Sequence, residues 1–196
     1  QLLTKYGNDP NKAQRGYAER LAKELDARGT VDVLRHGVVD LGVTLQLAFF
    51  RPASGLTPAL SERYGKNRLT VTRQLPHEPG STKTLDLCLF VNGIPVATAE
   101  LKNALTGQSV EQAIEQYRTS RDPKNRTLRR AVVHFAVDTE RVAMTTRLDG
   151  KATRFLPFNL GDNGGAGNPP NPDGHRTAYL WERIWQRDAW LDLLAR

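Results

Sequence analysis

The chain has 196 residues, 39% of them hydrophobic and 25% charged, with a formal net charge of +7. This length supports one well-cored domain, the composition excludes a disordered chain, and no apolar run approaches the length that spans a bilayer. A single cysteine, Cys88, excludes an internal disulfide and fits a reducing compartment, no secretory signal is visible, and the surplus of Lys and Arg suits a polyanionic partner whose phosphates would release counterions.

In chain order, Asn8-Asp9-Pro10 offers a cap and a helix-compatible proline, and Tyr17, Leu21 and Leu25 follow at helical spacing as far as Gly29. Residues 38–50, VVDLGVTLQLAFF, read as a strand. Thr57-Pro58 opens a short helix that stops at Gly65, and residues 68–75, RLTVTRQL, alternate like a half-exposed strand. Residues 85–102, LDLCLFVNGIPVATAELK, read as two strands around an Asn92-Gly93 turn. Ser109 and Gln112 form a capping box for a helix whose apolar face is Val110, Ala113, Ile114 and Tyr117, ending before Asp122-Pro123. Residues 131–138 and 142–148 read as a further strand pair. The stretch 161–174, GDNGGAGNPPNPDG, reads as an exposed loop, and residues 178–196 return to helix. The sum is a mixed α/β domain with a central sheet flanked by helices.

The hairpin carries an unusual set of charges. Asp86 stands at its start and Glu100 and Lys102 at its end, where buried charge is costly unless paired, hydrogen-bonded or bound to metal. Two converging carboxylates make a hard-oxygen site suited to Mg²⁺, and an adjacent lysine can orient water or stabilise charge on a phosphate. Parity limits this arrangement. A plain two-residue loop sets Asp86 opposite Ala99, on the other face from Glu100. Either a three-residue loop, Asn92 to Ile94, or a β-bulge brings Asp86 opposite Glu100, and one of the two is expected. Glu100 and Lys102 then share a face, with Leu101 directed into the core. The plain alternative for these residues is a solvated Glu-Lys ion pair and a strand-edge Asp.

Asp86, thirteen intervening residues and then Glu100-x-Lys102 resemble the active-site pattern of the PD-(D/E)XK nuclease superfamily. NRLTVTRQL, TLDLCLFVNGIPVATAELKNA, VEQAIEQYR, HFAVDTERVAMTT, FLPFNLG, GNPP and YLWERIW together resemble the N-terminal nuclease region of the restriction subunit of type I restriction-modification enzymes. VNGIPVATAELKNA is the most specific segment, the resemblance covers roughly residues 66–196, and residues 1–65 match less distinctly. It implies a restriction-endonuclease-like core in a single domain, residues 1–196, with an N-terminal portion over 1–65 and a nuclease core and C-terminal helix over 66–196. It also implies a fragment of a longer, motor-containing subunit.

By the resemblance, Asp86 and Glu100 hold Mg²⁺, for which Mn²⁺ substitutes, the backbone carbonyl of Leu101 is a further candidate ligand, and Lys102 is the catalytic lysine. Family members often carry a glutamine and a tyrosine separated by three intervening residues in the next helix. Here Gln112 and Gln116 sit at other spacings from Tyr117, so all three are auxiliary candidates, with core packing the plain reading of Tyr117. Glu19 is a candidate third carboxylate, with a surface salt bridge equally open. Arg118, Arg121, Lys124, Arg126, Arg129 and Arg130 form a basic cluster suited to phosphate contacts or to a solvated loop. His36, His77, His134 and His175 lack paired-ligand spacing for zinc. The three tryptophans of the tail, Trp181, Trp185 and Trp190, read as core or interdomain packing.

The implied activity is Mg²⁺-dependent hydrolysis of double-stranded DNA in defence against foreign DNA, in a prokaryotic cytoplasm. The implied partners are a motor domain in the same full-length chain and separate methyltransferase and specificity subunits. ATP would act only through that motor, since this sequence has no phosphate loop. A repair or junction-resolving nuclease of the same superfamily, and a noncatalytic DNA-binding or assembly module, are the alternatives.

Overall fold

The computed structural model describes residues 1–78, 80–103 and 106–196. Contacts divide the chain into two compact units, residues 1–68 with 191–196, and residues 69–190.

In the first unit, α1 (Leu2–Lys5) precedes α2 (Pro10–Arg28) and α3 (Thr30–His36). The start of α2 follows the sequence, because Pro10 occupies its first turn and the Asp9 carboxylate accepts from the amides of Asn11 and Lys12. The strand expected over 38–50 is instead a miniature hairpin, β1 (Val38–Asp40) and β2 (Val43–Leu45). Leu41 and Gly42 between them both take positive φ, 46° and 79°, as a tight primed turn requires, and this turn breaks the apolar run. Helix α4 (Pro58–Gly65) follows.

The second unit is built on a six-stranded mixed sheet in the order β3 (Leu69–Pro76), β4 (Thr84–Val91), β5 (Ile94–Leu101), β6 (Val133–Val137), β7 (Val142–Thr145), β8 (Leu156–Pro157). All neighbouring pairs are antiparallel except β5 and β6. Parallel neighbours need a long crossover, and α5 (Val110–Ser120) and α6 (Arg126–Arg130) lie within it. The apolar face of α5 buries Val110 and Ala113 against Ala136 and Ala143, with Ile114 and Phe155 packed beside them. The Gln112 side chain accepts from the Ser109 amide at 3.0 Å, closing the capping box.

Short α6 is capped by Asn125, whose side chain accepts from the amides of Thr127 and Leu128. The tail is not one helix. A π-helical turn (Leu180–Ile184) ends with the Trp185 amide bonded to the Leu180 carbonyl, and α7 (Arg187–Ala195) begins afterwards. A six-stranded mixed sheet with helices on it is compatible with a restriction-endonuclease-like fold.

Candidate active site

The register of the β4–β5 hairpin decides whether the carboxylates meet. The turn is the two-residue Asn92-Gly93 form, both residues at positive φ, and Val91 pairs with Ile94. By itself that parity separates Asp86 from Glu100. The register shifts, however, between Leu89 and Phe90, where Phe90 pairs with Pro95 and Leu89 with Ala97, leaving Val96 over. Beyond this bulge Leu87 pairs with Ala99, so the next positions along the ladder are Asp86 and Glu100. Of the two solutions expected from the sequence, the hairpin uses the bulge.

The carboxylates are close enough to interact directly, and their surroundings differ. Asp86 is part-exposed: its Oδ2 accepts from the Leu101 amide at 2.8 Å and its Oδ1 from Gln74 Nε2 at 3.0 Å. Glu100 is fully buried. Arg121 donates to Glu100 Oε1 from Nε at 2.7 Å and from Nη2 at 2.6 Å, and Gln116 Nε2 donates to Oε2 at 2.9 Å. Burial pushes Glu100 up to about 7; the Arg121 charge opposes this and the Asp86 charge adds to it. Lys102 Nζ donates to Gln116 Oε1 at 2.6 Å, so one amide side chain joins the lysine to the glutamate.

Leu101 departs from expectation. It is 41% exposed, not directed into the core, because β5 ends there and covering elements lie over the Glu100 face. Its amide serves the site directly, through Asp86. Ala104, the last residue of the stretch VNGIPVATAELKNA, lies outside the described residues.

The auxiliary candidates separate clearly. Gln116 belongs to the cluster, whereas the Gln112 side chain caps α5. Tyr117 is fully buried and packs against His134 and Phe155, its hydroxyl 2.8 Å from Thr98 Oγ1, which in turn lies 2.7 Å from His134 Nδ1. Burial lowers His134 to about 4, which keeps it neutral, and raises Tyr117. Glu19 lies in the first unit, lining a surface pocket there with Tyr6, Asp9 and Arg15.

The basic cluster divides as well. Arg121 is buried between Glu100 and the Thr84 carbonyl, which it reaches at 2.7 Å, and in this arrangement it does not face a phosphate. Arg118 donates to the Thr153 carbonyl at 3.0 Å, Arg130 is half-buried, and Lys124, Arg126 and Arg129 are exposed. Sequence reasoning missed Gln74 and the pairing role of Arg121. Neither had a local signal, since β3 and the end of α5 approach the hairpin only in the folded chain.

Among the described residues no group of three or more His, Cys, Asp or Glu side chains could hold a metal ion, and no helix is long and apolar enough to cross a membrane. The protein oxygens available to a cation are therefore few. Glu100 Oε2 and both oxygens of Asp86 each accept one of the bonds above and keep a further acceptor position. That donor set, hard and incomplete, fits a cation that retains water ligands better than one needing a closed cage.

No curated protein and no solved structure matches the chain. A family model does match, over residues 61–153, and it is that of the type I restriction enzyme R protein N terminus. Asp86, Glu100, Lys102, Gln116 and Arg121 all fall inside the matched span, whereas FLPFNLG, GNPP and YLWERIW follow it. The segment that builds the carboxylate cluster is thus the part of the chain that is similar to the type I restriction enzyme R protein N terminus.

Proposed function

We propose that this chain is a metal-dependent DNA endonuclease, the cleavage domain of a type I restriction enzyme directed against foreign DNA, with Asp86 and Glu100 as metal ligands and Lys102 as the catalytic lysine. The observation that carries the reading is the bulge between Leu89 and Phe90, which brings Asp86 and Glu100 to neighbouring positions that the turn alone would separate. Register defects of this kind commonly re-aim side chains beside active sites.

Mg²⁺ held by the two carboxylates, with the Leu101 carbonyl as a further ligand, would supply Lewis acidity and a bound water of lowered pKa. The remaining work falls to the chain's own groups. Lys102 places positive charge next to the carboxylates, where it stabilises charge building on a phosphate or orients the attacking water. Gln116 fixes the direction of Lys102 by accepting from its Nζ. Arg121 pairs with Glu100 in the buried setting and partly offsets the desolvation that raises it, favouring the ionised form. Exposed Lys124, Arg126 and Arg129 suit phosphate contacts that position a strand without reading its bases. The full assembly would comprise a motor in the same longer chain, through which ATP acts, and methyltransferase and specificity subunits, in a prokaryotic cytoplasm.

A second reading draws on the Arg121–Glu100 pair. A carboxylate already neutralised by a buried guanidinium suits a noncatalytic assembly module that keeps the fold. Nicking of supercoiled plasmid in Mg²⁺ or Mn²⁺ separates the two. The nuclease reading expects metal-dependent nicking by the parent and its loss in folded Asp86→Ala and Lys102→Ala variants. Nicking that persists in both variants would remove these residues from the active site, and DNA binding without nicking under any metal favours the module.

A further inference from the structure

We propose that Gln74 is a positioning residue for Asp86, holding that carboxylate in the orientation that a metal ion requires; the inference rests on the metal-binding reading of Asp86 and Glu100. Gln74 lies on β3 directly across from Asp86. Arg73 pairs with Leu87 and Leu75 with Leu85, but the pair between them is missing from an otherwise constant register. At that point Gln74 has a φ of 49°, in the left-handed region that glycine favours and that glutamine seldom enters. No turn accounts for it, since the ladder continues on both sides. Backbone strain of this sort persists where the surroundings impose it, and it concentrates at functional sites.

The side chain supplies the compensating contacts. Gln74 Oε1 accepts from the Thr84 hydroxyl at 2.6 Å, which leaves Nε2 to donate to Asp86 Oδ1 at 3.0 Å. Because a carboxylate only accepts, Nε2 is the end of the amide that faces Asp86, which leaves Oε1 for the Thr84 hydroxyl, a group able to donate or accept. Thr84 links the two halves of the site, its hydroxyl bonded to Gln74 and its carbonyl to the same Arg121 that grips Glu100. With Asp86 Oδ2 on the Leu101 amide, the carboxylate is held at both oxygens, and Gln74 supplies a side-chain donor to that hold. Without it, a part-exposed Asp86 regains rotamer freedom that metal binding must then remove.

Two substitutions separate positioning from packing. Gln74→Gly removes the side chain and relieves the positive φ, so the metal-free protein should melt about 2–4 °C higher while Mn²⁺ binding, read by calorimetry, weakens about tenfold. Gln74→Met keeps the length and the strain but not the hydrogen bonds, so its melting temperature should not rise although its Mn²⁺ affinity falls by a similar factor. An Asp86→Ala control should abolish the binding that both variants weaken. Parent-like Mn²⁺ affinity in Gln74→Gly and Gln74→Met overturns the positioning role and leaves the metal site standing. Absence of Mn²⁺ binding by the parent overturns the metal reading and this inference together.

Discussion

Two polar clusters occupy one face of β5 two residues apart, and they resolve the cost of burial in different ways. Thr98 joins Tyr117 and His134 through neutral hydrogen bonds, and every member is buried. Glu100 joins Arg121, Gln116 and Lys102, which are charged or bonded to charge, and it lies against part-exposed Asp86. A neutral network satisfies its own donors and acceptors and specifies how α5 seats on the sheet. A charged one stays in the interior only by pairing, and its part-exposed side is at Asp86 and Lys102. Depth along the strand thus separates a structural cluster from a candidate catalytic one built on the same helix.

The largest expected effect that would break this comparison comes from the ion pair. Arg121→Ala leaves Glu100 buried and unpaired and should cost about 3–5 kcal/mol in chemical denaturation. A loss below about 1 kcal/mol would mean that water or a neighbouring cation reaches Glu100, and the cluster would then not be interior. The two clusters should also carry opposite pH signatures. Glu100, raised to about 7, binds a proton in the folded state that the unfolded chain lacks between about pH 4.5 and 7, so its contribution to stability falls as pH rises. His134, lowered to about 4, is neutral when folded and charged when unfolded between about pH 4 and 6.5, so its contribution rises with pH and is lost on acidification.

Measured by denaturant titration across pH 4.5 to 6.5, His134→Gln should tilt the profile downward with rising pH relative to the parent, and Glu100→Gln should tilt it upward. Each change in slope approaches about 1.4 kcal/mol per pH unit. Slopes of the same sign would show that one group does not titrate as its burial demands. Next in size, Tyr117→Phe should lose about 1–2 kcal/mol by taking one of two partners from the buried Thr98 hydroxyl, which keeps His134, with unchanged Mn²⁺ affinity, because the lost hydroxyl is bonded within the neutral cluster. A drop in metal affinity would join the two clusters into one functional unit. The smallest effect belongs to Gln112→Ala, about 0.5–1 kcal/mol from the lost helix cap, again with Mn²⁺ affinity unaltered.

Local signals were legible where they act locally. Asp9-Pro10, Thr57-Pro58, the Ser109–Gln112 box and Asn92-Gly93 each set a boundary within a few residues, and the structure has elements starting or turning at all four. The same logic erred at residues 38–50, where Leu41-Gly42 turned an apolar run back on itself, and in the tail, where a π-helical turn interrupts the helical spacing. Gln112 and Gln116 were indistinguishable as candidates, because a side chain's role depends on whether it faces its own helix end or the sheet. Arg121 looked like a surface cation for the same reason. A charge next to Asp122-Pro123 in sequence gives no sign that Glu100 will lie within 3 Å of it.

What the sequence determined by itself is the set of chemical groups and the constraint on them: Asp86, Glu100 and Lys102 on one hairpin, and a parity that only a longer loop or a bulge could satisfy. The choice of the bulge, the burial of Glu100, its capture by Arg121 and Gln116, and the strained Gln74 across from Asp86 were decided by tertiary structure. The physical reason is range. Alternation, capping and turn preference act over a few residues, whereas the cost of burying a carboxylate is settled by whichever distant donors the packed sheet and helix bring to it.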